Sequence, residues 1–425
     1  MPSSIPRTLR LDNAANIYPA SMSRHYTSLY RMSVSLGEPV DVALLQEALE
    51  RVSERIPTFR CGLKAGWLWW YLKRLNHAPK VLPLKPLGKF SLGAQNGFLY
   101  RVSAVGRHIV LDVFHALADG NGAFSFLLTL SAEYLRLRYG ISIPYGGLIL
   151  DPSQQPSPEE VEDSFKTVFG GRKGRLEQSE KAYHLRGESM AFGTVKDLRL
   201  VVPQDRVLSV CRRLGCTVTE LFTSAMLLAL QEEHKADPNP RRRSILKVSV
   251  PVNLRPLYGS RTVRNFSSYV NLGVDVSRGY YSLEELVPMI HAQKERELLP
   301  ENLESKIAKN VELEQNRFVT VLPLFIKHPT IDIINRLHGD IFVSHTLSNL
   351  GPVSLPESMA PYIKEMDFAL GRQRGNSGAC ACLGYNGNLY VHFTRKIARD
   401  HFEQAFLGVL DLLDIPYEKS VTGLA

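Results

Sequence analysis

Short stretches of strict apolar–polar alternation recur along this chain, most of them followed by a segment with the 3.6-residue period of a helix, and that order admits few architectures. Tyr30, Met32, Val34 and Leu36 alternate with Arg31, Ser33 and Ser35, the period of a strand with one face buried. After the turn Gly37-Glu38-Pro39, Asp41 caps a helix in which Val42, Leu45, Leu49 and Val52 share one face. It ends near Arg55-Ile56-Pro57, because proline disfavours helix in the residue before it. Phe98, Tyr100, Val102 and Ala104, then Ile109, Leu111 and Val113, predict a hairpin turning at Gly106-Arg107. Its second strand runs directly into His115.

The same grammar resumes later. A strand is expected near Leu198 to Val202, and Thr217-Val218-Thr219-Glu220 forms a capping box ahead of the apolar helix Leu221 to Leu230. Leu246, Val248, Val250 and Val252 give another strand, as do Leu389, Val391 and Phe393. A last helix, capped at Asp400, carries Phe402, Phe406, Val409 and Leu413 on one side. Between the two runs, residues 151–190 are rich in Pro, Ser, Gly and charge and read as a linker or crossover. The expected organisation is therefore an N-terminal subdomain over 1–150 and a C-terminal subdomain over 191–425, each a layer of sheet and helix in an α/β (α+β) fold.

A chain of 425 residues that is 44% hydrophobic and 22% charged can bury a large core, which excludes disorder and small disulfide scaffolds. The longest uncharged apolar run, around Phe318 to Ile326, falls far short of the roughly 20 residues a spanning helix needs. The first residues lack the apolar core, roughly 7 to 15 residues long, of a secretory signal, so a cytoplasmic protein is expected. Cysteines 61, 211, 216, 380 and 382 lack the paired spacing of zinc sites, so reduced thiols and no metal are expected.

The net charge of +9 calls for an anionic partner. Arg241, Arg242 and Arg243, and Arg172, Lys173 and Arg175, form short clusters beside turn residues with no interleaved aromatics, which argues against nucleic acid. A phosphate-bearing co-substrate or an acidic carrier protein fits the charge better.

The chemistry concentrates in Phe114-His115-Ala116-Leu117-Ala118-Asp119-Gly120-Asn121-Gly122. A histidine at the tip of an apolar strand, just before a helix, sits where a titratable group is held firmly yet reached from outside. Taken alone, the pattern also fits a hydrogen-bonded core histidine. His345, His392 and His108 are weaker candidates of the same kind, and Cys380 and Cys382 show no neighbouring base.

HALADG matches HxxxDG, and the chain resembles the chloramphenicol-acetyltransferase-like superfamily of thioester-dependent acyltransferases, which includes condensation domains and alcohol acetyltransferases. Three other segments follow the family's order. EALERVSERIPTFRCGL resembles its helix and RHxxLR stretch, PVNLRPLYGSRTVRNFSSYVNLG its strand-loop-strand with a GNF.N pattern, and SHTLSNLGPVSLP its Ser-Asn-Leu-Gly segment. Two departures favour a free-standing enzyme: Phe114 replaces the first histidine of HHxxxDG, and the DFGWG segment of plant acyltransferases is absent.

The resemblance implies two chloramphenicol-acetyltransferase-like subdomains packed as a V-shaped pseudo-dimer, with an active-site tunnel at their interface. It implies His115 as general base for transfer from acyl-CoA, or acyl-phosphopantetheine, to a small hydroxyl or amino acceptor, with no tightly bound cofactor. Asp119 is implied to be structural, ion-paired to an arginine for which Arg55 is the matching position. Gly120 is expected to serve through a positive φ or close passage of the pantetheine arm. Backbone N–H groups at Asp119-Gly120, or Ser348 and Asn349, are candidates for oxyanion binding or for lining the channel. For Ser348 and Asn349, a turn ahead of Gly351-Pro352 accounts for the pattern equally well. Two rival readings are a condensation-type enzyme using carrier-tethered substrates, and a catalytically silent binding protein on the same fold.

Overall fold

The computed structural model describes residues 5–22, 26–91, 93, 95–175, 180–191, 193–316, 320–327, 329–330, 340–372 and 375–420. The period-two segments form strands at Leu29–Leu36, Tyr100–Val105, His108–Phe114, Lys196–Pro203, Ile245–Asn253 and Asn388–Arg395. The helices begin where their caps predict. Asp41 accepts the backbone N–H of Ala43 (2.9 Å) and Leu44 (3.1 Å) at the start of Val42–Arg55. The Thr217–Glu220 capping box, closed in both directions, opens Val218–Ala236. Asp400 occupies the N-cap of His401–Leu412, its carboxylate accepting no backbone N–H of the helix.

Two principal sheets organise the molecule. One has four antiparallel strands in the order Ile363–Leu370, Leu29–Leu36, His108–Phe114, Tyr100–Val105. The other has seven, among them Asn388–Arg395, Gly378–Tyr385, His345–Pro352 and Ile245–Asn253. Each carries its own core. Met32, Leu49, Leu111, Phe126 and Phe368 are buried in the first, and Leu230, Val248, Leu347, Val391 and Phe406 in the second. Helices Val42–Arg55 and Gly120–Tyr139 contribute to the first core through Leu45, Leu49, Val52, Phe126 and Leu130.

Strand Ile363–Leu370 comes from beyond residue 191 yet completes the N-terminal sheet, pairing Met366 with Val34 and Phe368 with Met32. Contiguous blocks of 1–150 and 191–425 do not contain this exchange. Residues 151–190 also do more than link. Phe165 and Phe169, on the short helix Ser164–Phe169, pack with Leu254, Phe266, Leu303 and Ile307 in a third small core. Among the described residues, no single helix is long and apolar enough to cross a membrane.

Candidate active site

His115 follows the last residue of strand His108–Phe114, and its backbone N–H donates to the Ser28 carbonyl at 3.1 Å. Helix Gly120–Tyr139 starts five residues later with Asp119 as N-cap, its Oδ1 accepting the Gly122 N–H at 3.0 Å. The imidazole is thus fixed between two rigid elements.

Around the ring, Tyr18 stacks on one face with centroids 4.3 Å apart, and Tyr30 meets it edge-on at 5.2 Å. Tyr30 is itself held, its hydroxyl donating to the carbonyls of Ala118 (2.8 Å) and Asp119 (3.0 Å). Nδ1 of His115 lies 3.1 Å from Oδ1 of Asn265. An amide oxygen only accepts, so this contact places the proton on Nδ1 and leaves the lone pair on Nε2. Among the described residues no hydrogen bond to Nε2 is found, and the side chain is half-buried rather than sealed. Burial lowers the basicity of His115, partly opposed by the Asp119 carboxylate and by hydrogen bonds to its own backbone and to Asn265. The ring is therefore neutral at physiological pH.

The partner of Asp119 is Arg255, not Arg55. The Arg255 guanidinium grips both carboxylate oxygens, Nη1 to Oδ2 at 2.9 Å and Nη2 to Oδ1 at 3.0 Å. Its remaining N–H groups reach the carbonyls of Thr262 (2.7 Å) and Arg264 (2.5 Å). Asp119 also accepts the Phe266 N–H at 2.8 Å. These donors outweigh desolvation and hold its carboxyl below the usual range. Arg55 instead forms a two-pronged pair with Glu160, at 2.5 and 2.8 Å, and donates to the Asp151 carbonyl. It ties the helix Val42–Arg55 to the crossover, so both arginines have buried carboxylate partners, and the one that Arg55 meets is Glu160 rather than the expected Asp119. Sequence order is silent on which carboxylate each one meets across more than a hundred residues.

The two glycines after Asp119 answer to packing. Gly120 does not have a positive φ, which removes that explanation for it. A Cβ there would lie 3.0 Å from Leu350 of strand His345–Pro352, so Gly120 is a contact point between the two sheets' territories. Gly122 is tighter, since a Cβ would come within 2.0 Å of the Val263 carbonyl oxygen. The loop that delivers Arg255 and Asn265 crosses directly over the helix N-terminus.

Ser348 and Asn349 lie on a strand rather than a turn. Both ends of the Asn349 amide are engaged, Nδ2 with Thr219 Oγ1 at 3.1 Å and Oδ1 with the Gly351 N–H at 2.8 Å. Ser348 is half-buried, and strand alternation puts it on the same side as Leu350, which reaches Gly120. Elsewhere, His345 stacks on Phe402 at 4.4 Å, and its burial drives its pKa down to about 4. Cys380 and Cys382 are fully buried, the latter thiol pushed up to about 12 by desolvation, which leaves no thiolate for nucleophilic attack. A cavity of about 360 Å³ lies apart from this cluster, lined by Tyr183, Arg186, Glu233, Asp237 and Arg399.

Sequence reasoning missed Arg255, Asn265, Asp12, Tyr18 and Tyr30. Arg255 and Asn265 lie inside the segment PVNLRPLYGSRTVRNF singled out by the resemblance, and that was the available signal. The N-terminal residues Asp12 and Tyr18 sit in no motif.

No family model matches the sequence, and no curated protein sequence matches it. Solved structures do. Polyketide synthase associated protein 5 from Mycobacterium tuberculosis is similar over 96% of this chain and 98% of its own, with a TM-score of 0.64 and 17% identity. TRI101 of F. graminearum, solved with coenzyme A and T-2 mycotoxin, matches over 97% and 99%, with a TM-score of 0.61 and 11% identity. The first condensation domain of the CDA synthetase matches over 97% and 95%, with a TM-score of 0.58 and 15% identity. These likenesses establish the fold, an α/β architecture of two subdomains, as expected from the sequence.

Proposed function

We propose that this chain, which has the chloramphenicol-acetyltransferase-like fold, is an acyltransferase moving an acyl group from a coenzyme A thioester to a hydroxyl or amino group of a small-molecule acceptor, with His115 as general base. The observation that carries the reading is the asymmetry of the imidazole: Nδ1 is committed to Asn265, while Nε2 has its lone pair and no partner among the described residues. In the reaction, Nε2 takes the acceptor's proton as its oxygen or nitrogen attacks the thioester carbonyl carbon. The tetrahedral intermediate then collapses, the C–S bond breaks, and the imidazolium returns the proton to the departing thiolate.

The two substrates approach Nε2 along the interface between subdomains, from opposite sides. Ser348 is the oxyanion donor we favour, because Asn349 already spends both ends of its amide. Asp119 acts structurally, locked in the Arg255 fork and so unable to serve as a second base. The net positive charge suits a phosphate-bearing donor, and neighbours of this fold have been solved with coenzyme A.

The test is acceptor-dependent release of free thiol from a panel of acyl-CoAs, in wild type and His115→Ala. Loss of the base lowers the rate by roughly 10² to 10⁴. Equal rates in the two proteins reject His115, and turnover restricted to carrier-tethered thioesters rejects the CoA donor.

A further inference from the structure

Resting on the reading of His115 as the base, we propose that Asp12 is a positioning residue that sets, through Asn265, which nitrogen of the imidazole carries the proton. The need for it follows from the amide. Asn265 presents an acceptor at one end and a donor at the other, and a flipped amide occupies nearly the same volume. With Oδ1 toward the ring, Nδ1 is protonated and Nε2 is a base. With Nδ2 toward the ring, Nδ1 must accept, the proton moves to Nε2, and the reactive nitrogen loses its lone pair.

An ionised carboxylate breaks that symmetry, because it accepts and never donates; burial raises the Asp12 pKa to about 6, so the group is ionised above that pH. Asp12 Oδ2 lies 3.2 Å from Asn265 Nδ2, which directs the donor end of the amide away from His115. The carboxylate is fully buried and built into its place: Oδ1 accepts the Ala15 N–H at 2.8 Å, and the Arg264 guanidinium stands 3.5 Å from Oδ2. Three side chains thus form a directional chain, Asp12 to Asn265 to His115, in which each acceptor faces a donor. The arrangement follows the logic of a base oriented by a third group, here relayed through an amide. It also explains why the N-terminal segment closes over the site: the helix Ile17–Ser21 that follows Asp12 supplies Tyr18, the ring stacked on His115.

The test combines spectroscopy with kinetics. In wild-type protein labelled with ¹⁵N-histidine, the His115 resonances, assigned by their loss in His115→Ala, report the proton on Nδ1. Asp12→Asn keeps the shape but offers a donor as well as an acceptor. The expected results are a mixed His115 tautomer and a fall in kcat of roughly 10- to 100-fold with KM unchanged. Asp12→Glu, which keeps a carboxylate, recovers part of the rate, and Asp12→Asn adds no further loss in an Asn265→Ala background. A wild-type proton on Nε2 overturns the proposal whether or not any Asp12 variant folds. So does a folded Asp12→Asn with unchanged tautomer and kcat. Full activity of His115→Ala is a different failure, that of the base assignment itself.

Discussion

Two interior histidines, His115 and His392, have opposite protonation, and the difference lies in which atoms touch them. Both have carboxylates nearby. His115 feels Asp119, but both oxygens of that group are already taken by Arg255, and the ring's own hydrogen bond goes to a neutral amide. His392 is bonded directly to two carboxylates, Nδ1 to Asp197 at 3.0 Å and Nε2 to Asp367 at 2.9 Å. Its pKa rises to about 9 despite full burial, whereas burial lowers that of His115. Proximity to negative charge therefore does not make a histidine cationic. Carboxylate oxygens in direct hydrogen-bond contact with both nitrogens do.

The locations match the chemistry. His392 joins strands Asn388–Arg395 and Lys196–Pro203 of the seven-stranded sheet to Asp367 on Ile363–Leu370, the strand lent to the other sheet. Arg199 also reaches Asp367, at 2.6 Å. This cluster fastens the two subdomains at the exchanged strand. His115 keeps one nitrogen unspent, which a fastening has no use for.

Exchanging the roles gives the largest effects. His115→Ala costs roughly 10² to 10⁴ in acyl transfer with little change in melting temperature, whereas His392→Ala removes the cation that bridges Asp197 and Asp367 and costs about 3 to 5 kcal/mol of stability. Parallel activity assays and denaturant unfolding separate the two, and a catalytic loss confined to His392→Ala would break the comparison. Asp119→Ala sides with His392: it strands the Arg255 guanidinium and costs about 3 to 5 kcal/mol, checked by urea unfolding. Arg55→Ala strands Glu160 in the same way without displacing Asp119 from Arg255, and its melting point falls while its KM stays at the wild-type value.

A pH effect of smaller size follows from His392. Its folded pKa, about 9, exceeds the ordinary 6.5, so its stabilisation is fully present below pH 6.5 and is lost as pH rises through 9. The melting temperature of wild type declines over that window, and in His392→Gln this part of the decline disappears. The smallest effect is local: Asp41→Ala removes a helix cap and costs about 1 kcal/mol, read as a shift in denaturant midpoint.

Much of this molecule was legible in the sequence because its signals are local. The alternation of Tyr30 to Leu36, the cap at Asp41 and the box at Thr217–Glu220 each specify an element from neighbouring residues. His115 was legible because a strand tip and a helix cap flank it within a few positions. The rest depends on contacts across long separations. Nothing near Asp119 distinguishes Arg55 from Arg255, since both lie in loops or helix ends of suitable charge and only the folded path selects one. Ile363–Leu370 reads as a strand once its partner is known, but its membership in the distant sheet is decided by pairing with Leu29–Leu36. Asp12 is an ordinary residue in sequence, and it acquires meaning only when the N-terminal segment lies against Asn265.

The most direct test of a neutral, uncommitted imidazole is the pH dependence of kcat/KM for acyl transfer. Because burial lowers the His115 pKa from 6.5, activity stays level above pH 6.5 and falls only on the acid side below it, with the limb absent from the residual rate of His115→Ala. An acid limb lying above pH 6.5, or one that persists unchanged without the imidazole, would contradict the assignment.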